Sequence, residues 1–277
     1  MSPAAEPAQP HAEGPARELR PITLLDPFRW LRAGWRDLRA GWRDLRAAPG
    51  IGLFYGACFW LMAVVLGAVF RNLPQYTMSI VSGCFLVGPF LAMGLYEASR
   101  RRELGLPQSL SASLTCWDRH LASMGMLVLV LLLLELLWGR ASLVVFAVFF
   151  NTGMPTTASV LQAVFNPKNW QFVAMYTVVG GVFAGLVFSS CVVSIPMILD
   201  RDTDAISAGI ASMQVVATRT APMLLWGLLI VVVVLAALLL PWAVGVLVAG
   251  PWLGHASWHA YRGSFAWRGA PAVPAAP

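Results

Sequence analysis

Two histidines offer the most specific spacing for chemistry. His255 and His259 stand four apart in GHASWHAYR, which puts both imidazoles on one helix face, as metal sites require. Two ligands do not complete a centre, so a third must come from elsewhere in the chain. Glu97, His120, Asp200, Asp202 and Asp204 are the candidates. Haem ligation is a variant of the same idea, with Met93 at the repeat position equivalent to His255. The alternative is an interfacial belt, in which the two histidines with Trp258 and Tyr261 bridge lipid headgroups and backbone.

A second pair, Glu135 and Arg140, lies inside a long apolar run. A charge at the centre of a membrane helix costs about 2.5–3.5 kcal/mol on insertion scales, so such residues face a bundle or a pore. Glu135 and Arg140 are about 500° apart around a helix and do not share a face. Arg140 is expected to snorkel to the outer surface. Glu135 is expected either in a helix–helix hydrogen bond or in contact with a proton or substrate. The acidic run Asp200, Asp202 and Asp204 has the oxygen donors for a divalent cation. The competing reading pairs these residues with nearby arginines, with Asp202 or Asp204 as the N-cap of AISAGIASM. Cys58, Cys84, Cys116 and Cys191 form no CxxC pair and read as small buried hydrophobes. No GxSxG, HExxH, phosphate-binding loop or dinucleotide fingerprint is present. The expectation is a non-enzyme without a resident cofactor, metal or haem being the exception just described.

The elements that must position these residues are membrane helices. Of 277 residues, 58% are hydrophobic and 12% charged, about half the charge usual in a soluble domain. Mean hydropathy is +0.69. About 20 helical residues cross the hydrocarbon core. Apolar runs of that length cover 51–70, 78–97, 124–150 and about 171–199. The stretch 222–262 carries no charge before Arg262 and is long enough for two spans, with a tight turn near Leu240, Pro241 and Trp242. Run three exceeds one crossing, and its surplus is expected to tilt or protrude. The fold class is therefore all-α: a polytopic membrane helical bundle of six spans, with five as the fallback. Of 19 Lys and Arg residues, 16 fall before span one, between two and three, between four and five, or after six. Arg71 and Lys168 fall on the other side. Positive charge collects in the cytoplasm, which places both termini there, in a bacterial inner membrane.

Residues 32–45 repeat RAGWRDL in tandem. On a helix, Phe28, Leu31, Trp35, Leu38, Trp42 and Leu45 form one stripe flanked by Arg32, Arg36, Arg39, Arg43 and Arg46. A Trp/Leu face beside a basic face lies in an anionic leaflet; docking on protein is the alternative. Membrane lipids are thus expected partners, a respiratory or envelope membrane complex is a further one, and nucleic acid is not. Gly34 and Gly41 weaken an isolated helix by about 1 kcal/mol each. A second repeat sets Gly88-Pro89-Phe90-Leu91, Tyr96, Ala98 and Arg100 against Gly250-Pro251-Trp252-Leu253, Trp258, Ala260 and Arg262 at an offset of 162. Amphipathic segments 28–46, about 109–121 and about 204–218 precede the span pairs. Three units follow, each a surface helix plus a helical hairpin. Pro89, Pro196 and Pro251 are expected to kink their spans or to mark interrupted helices. The domain plan is a disordered tail 1–22, a basic interfacial helix 23–48, a transmembrane domain 49–263 and a disordered tail 264–277. No signal peptide is read at the N-terminus.

At GPFLAMGLYEASRR, SIPMILDRDTDAISA and GHASWHAYR the chain resembles the domain of unknown function 2189 family, bacterial predicted integral membrane proteins. Some members carry a cytochrome c oxidase label, but this chain lacks the histidines, spread over several helices, that a haem–copper centre needs. The resemblance implies a membrane fold and no particular activity. Functionally, the sequence points first to a non-enzymatic accessory, assembly or lipid-interacting factor. A small-solute transporter or channel-like protein comes second, and a metal- or haem-handling protein third.

Overall fold

The computed structural model of the protein describes residues 17–43, 50–72, 77–150 and 166–267. Helices dominate: α1 (Asp26–Arg43), α2 (Ile51–Asn72), α3 (Thr77–Glu103), α4 (Leu110–Thr115), α5 (Leu121–Phe149), α6 (Trp170–Cys191), α7 (Ser194–Arg201), α8 (Ala205–Thr218), α9 (Thr220–Leu238) and α10 (Val246–Ser264). Four helical stretches among the described residues are long and apolar enough to cross a membrane. They are Ile51–Asn72, Leu110–Phe149, Pro167–Arg201 and Thr220–Leu238. Their outer faces carry Leu133, Leu136 and Val148 on α5, Val178 and Val182 on α6, and Leu228, Val232 and Leu235 on α9, all exposed. Water does not tolerate so continuous an apolar surface; hydrocarbon does.

The helix ends follow from local chemistry. Asp204 caps α8, its carboxylate accepting from the Ser207 amide at 2.9 Å. Asp202 ends α7 at φ 50°, with its amide donating to Ile198 O, a left-handed position that Asp tolerates. Leu240, Pro241 and Trp242 form the expected tight turn, with a 3₁₀ turn over Pro241–Ala243. Span four takes the interrupted form. It is two helices, because Pro196 has no amide to give Val192 O and the chain breaks at Val192–Val193. Ser212 Oγ of α8 accepts the Val193 amide at 3.2 Å, satisfying one donor at the break. By contrast, α3 and α10 run on as helix through Pro89 and Pro251.

The surplus of α5 packs against the start of α6. Val145 and Phe146 are buried with Phe172, and Phe149 and Phe150 close the aromatic cluster. The main core gathers Trp30, Met93, Tyr96, Met124, Met197, Ile198, Trp226, Trp258 and Tyr261. At its centre α10 is flanked by α1, α2, α3 and α9.

Two expectations change at the ends of the chain. Segments 1–22 and 264–277, read as disordered tails, contain a small antiparallel ribbon: β1 (Arg17–Leu19) pairs with β2 (Phe265–Trp267), Leu19 opposite Phe265. Arg20 N–H extends it by donating to Ser264 O at 3.0 Å, and Phe265 is buried. Paired backbone and a buried ring order segments whose Pro/Ala-rich neighbourhood suggested none. The stripe on α1 is also rotated from its predicted line. Trp30, Gly34 and Leu38 face the protein, while Phe28 is exposed and Trp35 sits at the rim. The reason is Gly34: a Cβ there would lie 2.5 Å from Ala256 N, so only glycine lets α1 approach α10 this closely. The side chains of Trp42 and Arg43, and residues 44–49, lie outside the described residues.

Candidate functional site: a buried ionic hub

A chain with 12% charged residues places much of its charge in one place. The C-terminal end of α3 supplies Glu97, Arg100, Arg101, Arg102 and Glu103; α7 supplies Asp200 and Arg201; α10 supplies His255, His259, Tyr261 and Arg262; α1 supplies Asp37. These helix ends converge because the apolar spans beneath them pack as one bundle.

Asp200 is the centre. It is 1% exposed, and its Oδ2 accepts the Tyr261 hydroxyl at 2.7 Å and Arg201 Nε at 3.1 Å. Arg100 Nε lies 3.7 Å from its Oδ1 and Arg262 Nη1 3.8 Å from its Oδ2. Arg100 also donates from Nη1 to Glu97 Oε2 at 2.9 Å, and Arg101 Nη1 lies 3.8 Å from Glu97 Oε1. Arg262 Nε reaches Glu103 Oε2 at 3.1 Å. A second branch joins α1: Asp37 Oδ2 meets His259 Nε2 at 2.9 Å, and Arg102 Nη1 donates to the Asp37 carbonyl and lies 3.6 Å from its Oδ1. Burial works to raise the Asp37 pKa. The hydrogen bond and charge of His259, with the charges of His255 and Arg102, outweigh it and hold the carboxyl below its usual range. Buried charges are tolerated when paired and hydrogen-bonded in this way.

The residues singled out by spacing separate. His255 is buried and its Nδ1 pairs with Ser99 Oγ at 2.7 Å, while His259 turns to Asp37. His120 sits with Asp202 at 3.0 Å, and Met93 lies in the apolar core. Among the described residues no three His, Cys, Asp or Glu side chains converge as a metal centre. Asp200 pairs with arginines and Asp204 caps a helix. Glu135 is buried on α5 and lines a cleft with Trp138, Gly180, Phe183 and Val187 whose walls are otherwise apolar. Arg140, farther along α5, is exposed.

The sequence held one signal for the hub that spacing alone did not decode. Arg100 and Arg262, equivalent in the repeat, both point at Asp200. Tyr96 and Trp258, also equivalent, face each other with ring centroids 6.5 Å apart.

With this geometry in place, residues 77–200 match the sequence profile of a family described as predicted integral membrane protein (DUF2189). No curated protein and no solved structure matches the chain. The matched segment runs from α3 through the break at Val192–Val193 to Asp200, the centre of the hub. The protein is an integral membrane protein with several apolar helices.

Proposed function

We propose that this is a multi-pass protein of the bacterial inner membrane with a non-enzymatic role, an accessory, assembly or lipid-interacting factor whose working surface is the docked helix α1. One observation carries the reading. With Trp30, Gly34 and Leu38 committed to the protein, α1 turns outward a mixed face of Arg29, Arg32, Arg36 and Arg39 with Phe28 and Trp35. Such a face fits anionic headgroups or the membrane-proximal surface of a larger complex.

In this reading the spans number six (α2, α3, α5, α6 with α7, α9, α10), with both termini cytoplasmic. They make three hairpins, introduced by α1, α4 and α8. Contacts between the surface helices and the hairpins support it: α4 packs on α3, α8 on α6 and α7, and α1 on α10. Each surface helix thus rests on the last helix of another unit. Trp35 meets Trp252 edge to face, as Trp117 meets Phe90, and Phe90 and Trp252 are equivalent in the repeat.

The test is affinity purification of the full chain from native membranes in mild detergent, followed by mass spectrometry of protein and lipid. A stoichiometric membrane complex or retained anionic lipid, lost when Arg32 and Arg36 are both changed to Glu, is the expected result. Recovery of the protein alone and free of lipid refutes the role. A small-solute transporter is the second reading, favoured by Glu135 at the wall of a cleft of about 500 Å³. It requires Glu135→Gln to alter uptake into proteoliposomes.

A further inference from the structure

Three guanidinium groups open onto one cavity beside the hub. Arg20 follows β1, Arg201 ends α7 and Arg262 lies in the last turn of α10; Phe265 and Trp267 of β2 complete the lining of a volume of about 330 Å³. Two of the three are fixed in place. Arg201 is held through Nε by Asp200 and lies 4.6 Å over the Trp267 ring, and Arg262 is held through Nε by Glu103. Arg20 is positioned by its main chain, which continues the ribbon to Ser264.

The carboxylates that Arg201 and Arg262 meet, Asp200 and Glu103, are shared with other side chains. Asp200 is shared among Arg100, Arg201 and Arg262, Glu97 between Arg100 and Arg101, and Asp37 and Glu103 pair with Arg102 and Arg262. Arg20, Arg201 and Arg262 thus bring three guanidinium groups to one cavity. Like charges crowded at a partly desolvated site repel unless an anion joins them. A phosphate monoester carries about −1.5 to −2 charges near neutral pH, and its oxygens suit the planar fork of arginine.

We propose that this cavity is a phosphate-binding site, taking either the monoester headgroup of an anionic lipid or a soluble phosphate. It rests on the preceding assignment of this end of the bundle to the cytoplasmic membrane surface. Water alone would fill the volume, since one water occupies about 30 Å³ in the liquid, but would bring no negative charge to the three guanidinium groups.

The experiment is native mass spectrometry of the purified full chain, titrated separately with phosphatidic acid, phosphatidylcholine and inorganic phosphate. The expected result is one equivalent of phosphatidic acid at concentrations where phosphatidylcholine gives none. Arg20→Gln, which leaves the Arg20 main-chain bond intact, should weaken it about tenfold, the scale of one lost charged hydrogen bond. Lys168→Gln, in the 3₁₀ turn before α6, should change nothing. Saturation by inorganic phosphate, sensitive to Arg20→Gln, with no added uptake of lipid would support the same site with a soluble ligand. The proposal is overturned if neither probe binds, or if binding is indifferent to both Arg20→Gln and Arg262→Gln. Partner recovery plays no part in this measurement. Failure of the accessory role with phosphate binding intact, or the reverse, is therefore readable from the two experiments together.

Discussion

Consider the replacement of Asp200 by Asn, which keeps the shape of the side chain and removes its charge. In the native protein its Oδ2 serves Tyr261 at 2.7 Å and Arg201 at 3.1 Å, with Arg100 and Arg262 at 3.7 and 3.8 Å. Asn retains one oxygen acceptor and turns an NH₂ group toward guanidinium nitrogens. Removing one partner of a buried charge pair costs about 3–5 kcal/mol, because the other charge stays buried and uncompensated. Arg262 is 41% exposed and keeps Glu103, and Arg100 keeps Glu97. Water and the remaining partners relieve part of the loss, so the lower end, about 3 kcal/mol, is expected. In a chain of this size that corresponds to a fall of roughly 6–12 °C in apparent melting temperature. Fluorescence-detected size exclusion of the detergent-solubilised protein after graded heating reads it directly. Adding Arg100→Met should restore part of the loss, with a coupling above about 1 kcal/mol for residues that share one network. A melting temperature within about 2 °C of the native protein, or strictly additive effects in the double variant, would refute the hub as the clamp on these helices.

Two further outcomes follow from α1. Gly34→Val sets branched carbons against the Ala256 backbone, 2.5 Å from where the Cβ would lie; overpacking of this kind costs about 1–3 kcal/mol. It should expose α1 to protease while the rest of the bundle stays resistant, and unchanged cleavage kinetics would contradict the close contact. The second concerns pH. The folded Asp37 carboxyl titrates below its unfolded value, so its contribution is fully present above about pH 4 and is lost as pH falls through the folded value. Protease protection of α1 should therefore hold down to about pH 4 and decline as pH falls below it in the native protein. In Asp37→Asn it should be weaker at pH 7 and flat across that range.

What was legible in the sequence was local. Runs of about 20 apolar residues announce helices through their length, and Asp204 before AISAGIASM and Leu240-Pro241-Trp242 announce a cap and a turn through side-chain and ring chemistry. The hub was not legible, because its bonds join residues remote in sequence. Asp37 and His259 are 222 apart, and Tyr261 and Asp200 are 61 apart. The His255/His259 spacing correctly implied neighbouring positions on a helix, yet each ring met a different neighbouring element. Helical periodicity likewise gave α1 its amphipathic character but not its orientation. A hydrophobic count favours Trp35 over Gly34, whereas the docking surface is chosen by the residue that lets two backbones touch. Pro196 and Pro89 look alike in sequence; only the former follows a break in its helix.

The docking of α1 on α10 also fixes an order of events during synthesis. Asp37 leaves the ribosome 222 residues ahead of His259, an interval of roughly 10–45 s at ordinary elongation rates. Throughout it Trp30 and Leu38 have no α10 to cover them. Completion of α10 then covers that inner face and clamps it through Gly34 and Asp37. The earliest-made helix is thus among the last to be seated, and a chain arrested before α10 would display an apolar α1 face that a membrane protease can recognise as unfinished.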